Sequence, residues 1–206
     1  MQKFLIGDLH FFDPNIIMFS RSFFQSVEEM NHRLIFNWNK VVSNDDMVFV
    51  LGDFFDLNNC DEKQIAETLS SLNGQITLIV GNHDKEGVEI FKKYGVTVIE
   101  YPIVIDEFFM LSHEPMFVDT ACPYANIFAH VHNNPMYRTL SSRSYCVSAE
   151  RIAYAPILLS EIEKLIKEYS KVKDLIKKSD DVKLTFNKRI DVSKIYKEGI
   201  TKITAQ

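Results

Sequence analysis

Seven residues, Leu78-Ile79-Val80-Gly81-Asn82-His83-Asp84, constrain this chain more than any other stretch. An apolar run ends at a glycine, and three residues able to bind metal or move protons follow at once. Such a run reads as a buried strand that delivers chemistry from its C-terminal end. The form recurs. Phe4-Leu5-Ile6-Gly7 ends in Asp8-Leu9-His10, and Val48-Phe49-Val50-Leu51-Gly52 ends in Asp53. Phe108–Leu111 ends in Ser112-His113, and Ile127-Phe128-Ala129 ends in His130-Val131-His132. Five of the six histidines therefore stand directly beyond apolar runs.

The segments between these runs read as helices. Ser26-Val27-Glu28-Glu29 has the form of a capping box, and Val27, Met30, Leu34, Trp38, Val41 and Val42 recur at helical spacing after it. Asp61 to Leu72 is helical in pattern and closes at Asn73-Gly74, a left-handed stop. Ile76–Val80 follows as a third strand. Strand, helix, strand, helix, strand at this spacing is the signature of a mainly parallel, covered sheet. Right-handed crossovers then bring Asp8, His10, Asp53, Asn82 and His83 to one edge, where open α/β sheets bind ligands.

Beyond a short helix at residues 86–94 the pattern changes. Short strands are expected at 96–99, 103–105, 108–111, 126–129, 145–148 and 157–159, in a second and more antiparallel sheet. Ser160-Glu161-Ile162-Glu163 reads as another capping box, opening a helix to about residue 178. Val182, Leu184 and Phe186 alternate as in a strand. The phenylalanine-rich stretch 11–24 reads as a loop whose rings at 11, 12, 19, 23 and 24 enter the core. Phe11 or Phe12 as part of a substrate wall is the lesser reading. Arg21 reads as a surface salt-bridge residue before a phosphate contact, Cys146 as packing, and His32 as a surface or packing residue.

Two aspartates, four histidines and an asparagine at strand ends form a nitrogen and oxygen donor set without sulfur. It suits Mn²⁺, Fe²⁺, Zn²⁺ or Ni²⁺ better than Ca²⁺. Seven donors are too many for one catalytic ion and about right for two that share a carboxylate, roughly 3.5–4 Å apart. The ordered elements Gly-Asp8-Leu-His10, Gly-Asp53-Phe-Phe-Asp56, Gly-Asn82-His83-Asp84, Ser-His113-Glu-Pro and Ala-His130-Val-His132 resemble the calcineurin-like metallophosphoesterase superfamily. Its small bacterial and phage single-domain members are the nearer match, with elements similar to residues 15–17, 27–31 and 112–115. The resemblance covers about residues 3–160.

That resemblance implies a four-layer α/β/β/α sandwich of two mixed sheets. It implies one metal on Asp8, His10, Asp53 and His132, and a second on Asp53, Asn82, His113 and His130. His83 would protonate the leaving group and Asp56 would orient it, unless Asp84 fills an outer role there. Two divalent ions are expected, Mn²⁺ foremost with Fe, Zn or Ni as alternatives. They would serve a phosphoesterase in which a metal-bridging hydroxide attacks, with phosphodiesters favoured over monoesters. There are departures. Phe12-Asp13 stands where relatives carry Gly-His, Leu57-Asn58 where Ser/Thr protein phosphatases carry Arg-Gly, and Ala129 where a glycine is usual.

Composition sets the remaining bounds. A chain of 206 residues with 46% hydrophobic and 25% charged content is ordinary for a globular protein. The expected division is a catalytic domain at 1–160 and a basic helix and tail at 161–206, packed on it or appended. Residues 161–206 carry 12 basic against 8 acidic groups, and residues 1–160 carry 11 against 20. A small phosphorylated substrate or nucleotide is the expected partner. The basic segment offers nucleic acid a surface but no recognition motif. A protein-binding scaffold of the same fold is a further alternative, although every ligand position here is filled. No apolar run approaches the roughly 18 residues of a membrane helix, no signal-peptide pattern opens the chain, and three cysteines form no CxxC pair. A cytoplasmic protein is expected.

Overall fold

The computed structural model describes residues 1–119 and 121–179, with side chains through residue 172. In chain order, β1 (Lys3–Ile6) leads to helices α1 (Pro14–Phe19) and α2 (Val27–Val41). Strand β2 (Met47–Leu51), α3 (Glu62–Ser71), β3 (Gln75–Ile79), α4 (Val88–Lys93) and β4 (Thr97–Ile99) continue the alternation. Strands β5 (Ile103–Ile105), β6 (Phe109–Leu111), β7 (Ala125–Phe128), β8 (Ser144–Cys146) and β9 (Ile157–Leu158) follow, and α5 (Leu159–Ser179) closes the described chain.

Two mixed sheets result, as the α/β sandwich requires. The first runs β4-β3-β2-β1-β9, parallel except at β9. The second runs β5-β6-β7-β8. Only its β5–β6 hairpin is antiparallel, whereas β6–β7 and β7–β8 are parallel ladders. The second, more antiparallel sheet expected from the sequence is mixed, with one antiparallel ladder of three: long excursions, not tight turns, join its last three strands, so they can run the same way. Two of the late strands, β4 and β9, also join the first sheet.

Alternation along the strands divides the core. Phe4 and Ile6 of β1, Val48 and Val50 of β2, and Ile76 and Leu78 of β3 face Met30, Leu34 and Trp38 of α2, Ile65 and Leu69 of α3, and Phe91 of α4. Leu5, Phe49, Leu51 and Ile79 point the other way, against Phe109, Leu111, Ile127 and Tyr145 of the second sheet. Leu159, Ile162 and Ile166 bring α5 into that second core. One compact unit spans Met1–Lys171 and another begins at Val172. The expected strand at Val182–Phe186, and much of the basic segment, lie outside the described residues. Among the described residues no helix is long and apolar enough to cross a membrane.

Several local expectations are revised. The stretch 11–24 contains α1, begun by Asp13 as N-cap with Pro14 in the first turn, a combination that favours helix starts. Phe11 and Phe24 are buried, but Phe19, at the end of a short helix that buries only Ile16, and Phe23 beyond it are exposed. Ser26 accepts the Glu29 amide at 3.2 Å, while the Glu29 carboxylate takes the Gln25 amide instead of closing the box on Ser26. The Ser160 box does not form, since α5 starts at Leu159 directly from β9.

Trp38 anchors the helical layer. Its ring is fully buried and its Nε1 donates to the Asn73 carbonyl at 2.9 Å, tying α2 to the end of α3. We expect Trp38→Ala to destabilise the protein by about 3–5 kcal/mol, and Trp38→Phe by about 1–3 kcal/mol through the unpaired carbonyl. Urea unfolding followed by circular dichroism measures both, because Trp38 is the only tryptophan and fluorescence would be lost with it.

Candidate metal centre

The C-terminal ends of β1, β2 and β3 open on one edge, and the loops leaving them run side by side. Asp8 N donates to Gly52 O, His10 N to Asp53 O and Phe11 N to Phe54 O, all at 2.9–3.0 Å. A parallel bridge between Gly7 and Ser148 joins this edge to the exit of β8. Ala129, in place of the usual glycine, lies where a Cβ on Gly7 would collide with it, so the methyl group fits only because residue 7 has none.

Six residues of these loops take left-handed φ angles: Asp8 at 55°, His10 at 49°, Phe12 at 67°, Asp53 at 54°, His130 at 68° and His132 at 46°. Each costs a side-chain-bearing residue of order 1–3 kcal/mol. Five of the six are expected metal ligands, and ligand atoms of all five fall in the two groups described next. Gly81 stands where the chain leaves β3. Its φ is not in that region; instead a Cβ there would overlap Asp53 Oδ1, so the glycine is needed for close approach.

The donors converge in two groups. Ligand atoms of Asp8, His10 and His132 all lie within 4.8 Å of one another, as do those of Asp53, His113 and His130. Asn82 joins the second group, with Oδ1 3.0 Å from His113 Nε2, and His130 Nδ1 is also 3.0 Å from that nitrogen. Asp53 Oδ2 stands between the groups, 3.6 Å from His10 Nε2 and 3.4 Å from His113 Nε2.

Three histidines have one ring nitrogen tied from behind, which leaves Nε2 for the centre. His10 Nδ1 meets Asp13 Oδ2 at 3.1 Å, His113 Nδ1 meets Leu51 O at 2.8 Å, and His132 Nδ1 meets Glu150 Oε1 at 3.0 Å. Such partners fix tautomer and ring direction in metal sites. Against its burial, the hydrogen bond from His10 holds the Asp13 carboxyl below the usual range. Glu150 is also buried, but the His132 hydrogen bond and the Arg21 charge pull it down to about 2.

The residues fit a cation. Asp8 Oδ2 and His10 Nε2 are buried and have no hydrogen-bond partner among the described residues. Leaving two such atoms unsatisfied costs several kcal/mol, a cost that coordination would remove. Imidazole nitrogens and carboxylate oxygens are donors that borderline divalent ions accept.

The residues expected to handle protons stand differently. His83 is exposed; its amide donates to Asp53 Oδ1 at 3.0 Å and its ring meets His10 edge-on at 5.3 Å. The Asp56 oxygens accept from Asn58 N at 3.0 Å and Asn59 Nδ2 at 2.6 Å. No hydrogen bond joins Asp56 to His83 among the described residues. Asp84 is fully buried and accepts the amides of Asp53 at 2.7 Å, Phe54 at 2.9 Å and Gly81 at 2.7 Å. Burial pushes its carboxyl upward against those donors.

Sequence reasoning missed Asp13, Glu150 and Asn126. Asn126 Nδ2 donates to Ser112 Oγ at 2.8 Å and its Oδ1 accepts the Met116 amide at 2.8 Å, bracing the loop of His113. Glu150 had a signal, since it follows the apolar run Tyr145–Val147 within a few residues. Arg21, read as a surface residue, is fully buried. A cavity of ≈ 350 Å³ opens beside the second histidine pair, lined by Ser20, His130, Val131, His132, Asn133, Asn134 and Tyr137.

Comparison with known proteins adds three findings. The profile of the family described as calcineurin-like phosphoesterase matches residues 2–186. The uncharacterized protein MJ1445 of Methanocaldococcus jannaschii is 40% identical over 173 residues, 80% of this chain and 91% of that protein. A protein of unknown function from Aquifex aeolicus, AQ665, has a similar solved structure. Its TM-score is 0.63 at 26% identity, covering 80% of this chain and 98% of that one.

Truncating the Asp84 side chain would strand three buried amides at about 1–3 kcal/mol each. We therefore expect Asp84→Ala to lower unfolding free energy by at least about 3 kcal/mol and to weaken divalent-metal binding at the Asp53 group. Denaturant titration and calorimetric metal titration measure the two effects.

Proposed function

The chain belongs to the calcineurin-like phosphoesterase family, and on that premise we propose that it is a dinuclear metal-dependent hydrolase of phosphodiesters. The observation that carries this reading is the pair of Asp/His groups with Asp53 between them. In the proposed assignment Asp8, His10, Asp53 and His132 hold one ion, and Asp53, Asn82, His113 and His130 hold the other. Two divalent ions there, Mn²⁺ by preference, would supply Lewis acidity and make water a stronger acid. The buried Asp8 Oδ2 and His10 Nε2, without a hydrogen-bond partner among the described residues, weigh against a protein-binding scaffold, which would have no use for them.

His83 is the proposed proton donor. It is exposed at the rim, and the hydrogen bond from its backbone N–H to Asp53 Oδ1 fixes the start of its side chain beside both groups. From there a ring N–H can give its proton to the departing ester oxygen. Asp56 completes the proposed pair; it lies on the loop whose first residues, Asp53 and Phe54, Asp84 clamps beside Gly81.

The cavity supports a diester over a monoester. Among the described residues its lining includes Ser20, Asn133, Asn134 and Tyr137 but neither lysine nor arginine. A monoester dianion would gain no extra cation there, whereas the second organic group of a diester, such as a nucleoside, finds neutral hydrogen-bonding and aromatic partners. Three free cysteines suit a reducing compartment, and a cytoplasmic location is proposed with it.

Asp53→Ala should lose metal and activity together. His83→Ala should retain two bound ions by elemental analysis yet lose at least about 100-fold in kcat on alkyl diesters, the range of general acid catalysis. Asp56→Asn should lower kcat with His83 present and have no further effect without it. Wild-type activity with an alkoxide leaving group in His83→Ala would end the proton-donor assignment. A substrate panel in which monoesters outrun matched diesters would reverse the proposed preference.

A further inference from the structure

Behind the Asp8 group lies an ion pair that the proposed reaction does not itself use. Arg21 has no exposed surface, and the Glu150 side chain is 3% exposed. They meet at 2.9 Å between Arg21 Nε and Glu150 Oε1. The same carboxylate oxygen receives His132 Nδ1 at 3.0 Å. The far side of the guanidinium donates to two backbone carbonyls of the loop leaving β1: to Leu9 O at 2.8 Å and to Asp8 O. Its face rests on the Tyr154 ring, 5.5 Å from the centroid. One buried cation thus holds the backbone of one metal-group residue while its partner carboxylate holds the ring of another.

Burying an ion pair seldom stabilises a fold by itself, because desolvation offsets the attraction. Glu150 Oε2, moreover, is buried with no hydrogen-bond partner among the described residues. An apolar pair would fill this space at lower cost. What apolar residues could not do is turn the His132 ring so that Nε2 faces Asp8 and His10, while raising the electron density at that nitrogen. Neighbouring Arg151 acts on the same loop from outside, donating to His132 O, to Tyr137 O at 3.0 Å and to Asn134 O at 2.8 Å. The bridge between Gly7 and Ser148 places residues 150 and 151 there.

We infer that Glu150, backed by Arg21, is a positioning residue for the Asp8/His10/His132 metal group, setting the affinity of that ion and not of its neighbour. This rests on the dinuclear reading proposed above. The other group is built otherwise: His113 is held by the neutral Leu51 carbonyl, so removing the Glu150 charge should be felt on one side only.

The test is calorimetric titration of Mn²⁺ into the metal-stripped full chain, for wild type, Glu150→Gln, Arg21→Lys and the His132→Ala background. Glu150→Gln keeps shape and should weaken one of two binding events by about 10–100-fold, leaving the other within about twofold. In His132→Ala the same substitution should have no further effect, since the coupling runs through that ring. Arg21→Lys should weaken the same event less. Equal weakening of both events, or an undiminished Glu150→Gln effect without His132, would mean a merely structural role and overturn the inference. So would unchanged affinities. If Glu150→Gln does not fold, Arg21→Lys with and without His132 decides by the same criteria. Because affinity is read without substrate, an inactive protein showing this pattern would refute only the hydrolase reading. Failure to bind two ions at all would refute both.

Discussion

A single carboxylate, that of Asp84, accepts backbone amides from two strand-end loops at once. Two of them, on Asp53 and Phe54, begin the loop after β2, and the third, on Gly81, begins the loop after β3. Bonds from charged acceptors are the stronger kind, and here they set the distance between the loops that present Asp53 and Asn82. The glycine at 81 completes the constraint, because any side chain would displace Asp53. The clamp thereby holds Asp53 between both histidine groups.

Around that clamp the protein concentrates features that elsewhere would be costly. Left-handed backbone at five metal-group residues, buried atoms without a hydrogen-bond partner among the described residues, and buried carboxylates occur together at one sheet edge. Strain of this sort persists where the surroundings over-determine it. The surroundings here are two well-packed cores on opposite faces of the first sheet, with a bridge between residues 7 and 148 drawing the second sheet against the first. Stability made in the cores is spent at the edge.

The polar residues behind the histidines differ in kind. His10 and His132 lean on carboxylates, and His113 on a peptide carbonyl. The two groups are therefore electrically unlike even though each contains two histidines. Asn82 adds a neutral donor to the second group, so negative charge is concentrated on the first. Part of the acidity of residues 1–160 is thus buried at this centre, while the basic excess lies after residue 160.

Apolar runs ending in Gly-Asp, Gly-Asn-His and Ala-His-Val-His determined, by sequence alone, which strands are buried and which residues stand at their ends. The reason is local: strand pairing and burial dictate an apolar run, and a polar residue placed just beyond one has to sit at the sheet edge. For the same reason α2, α3 and the nine strands among the described residues were legible. Direction within the second sheet was not, because strand propensity carries no information about which neighbour a strand pairs with or how the chain returns. Glu150 and Arg21 were hidden for a related cause. Their meaning depends on residues more than a hundred positions apart meeting across the seam between the two sheets, and only the tertiary structure decides which charges are buried together.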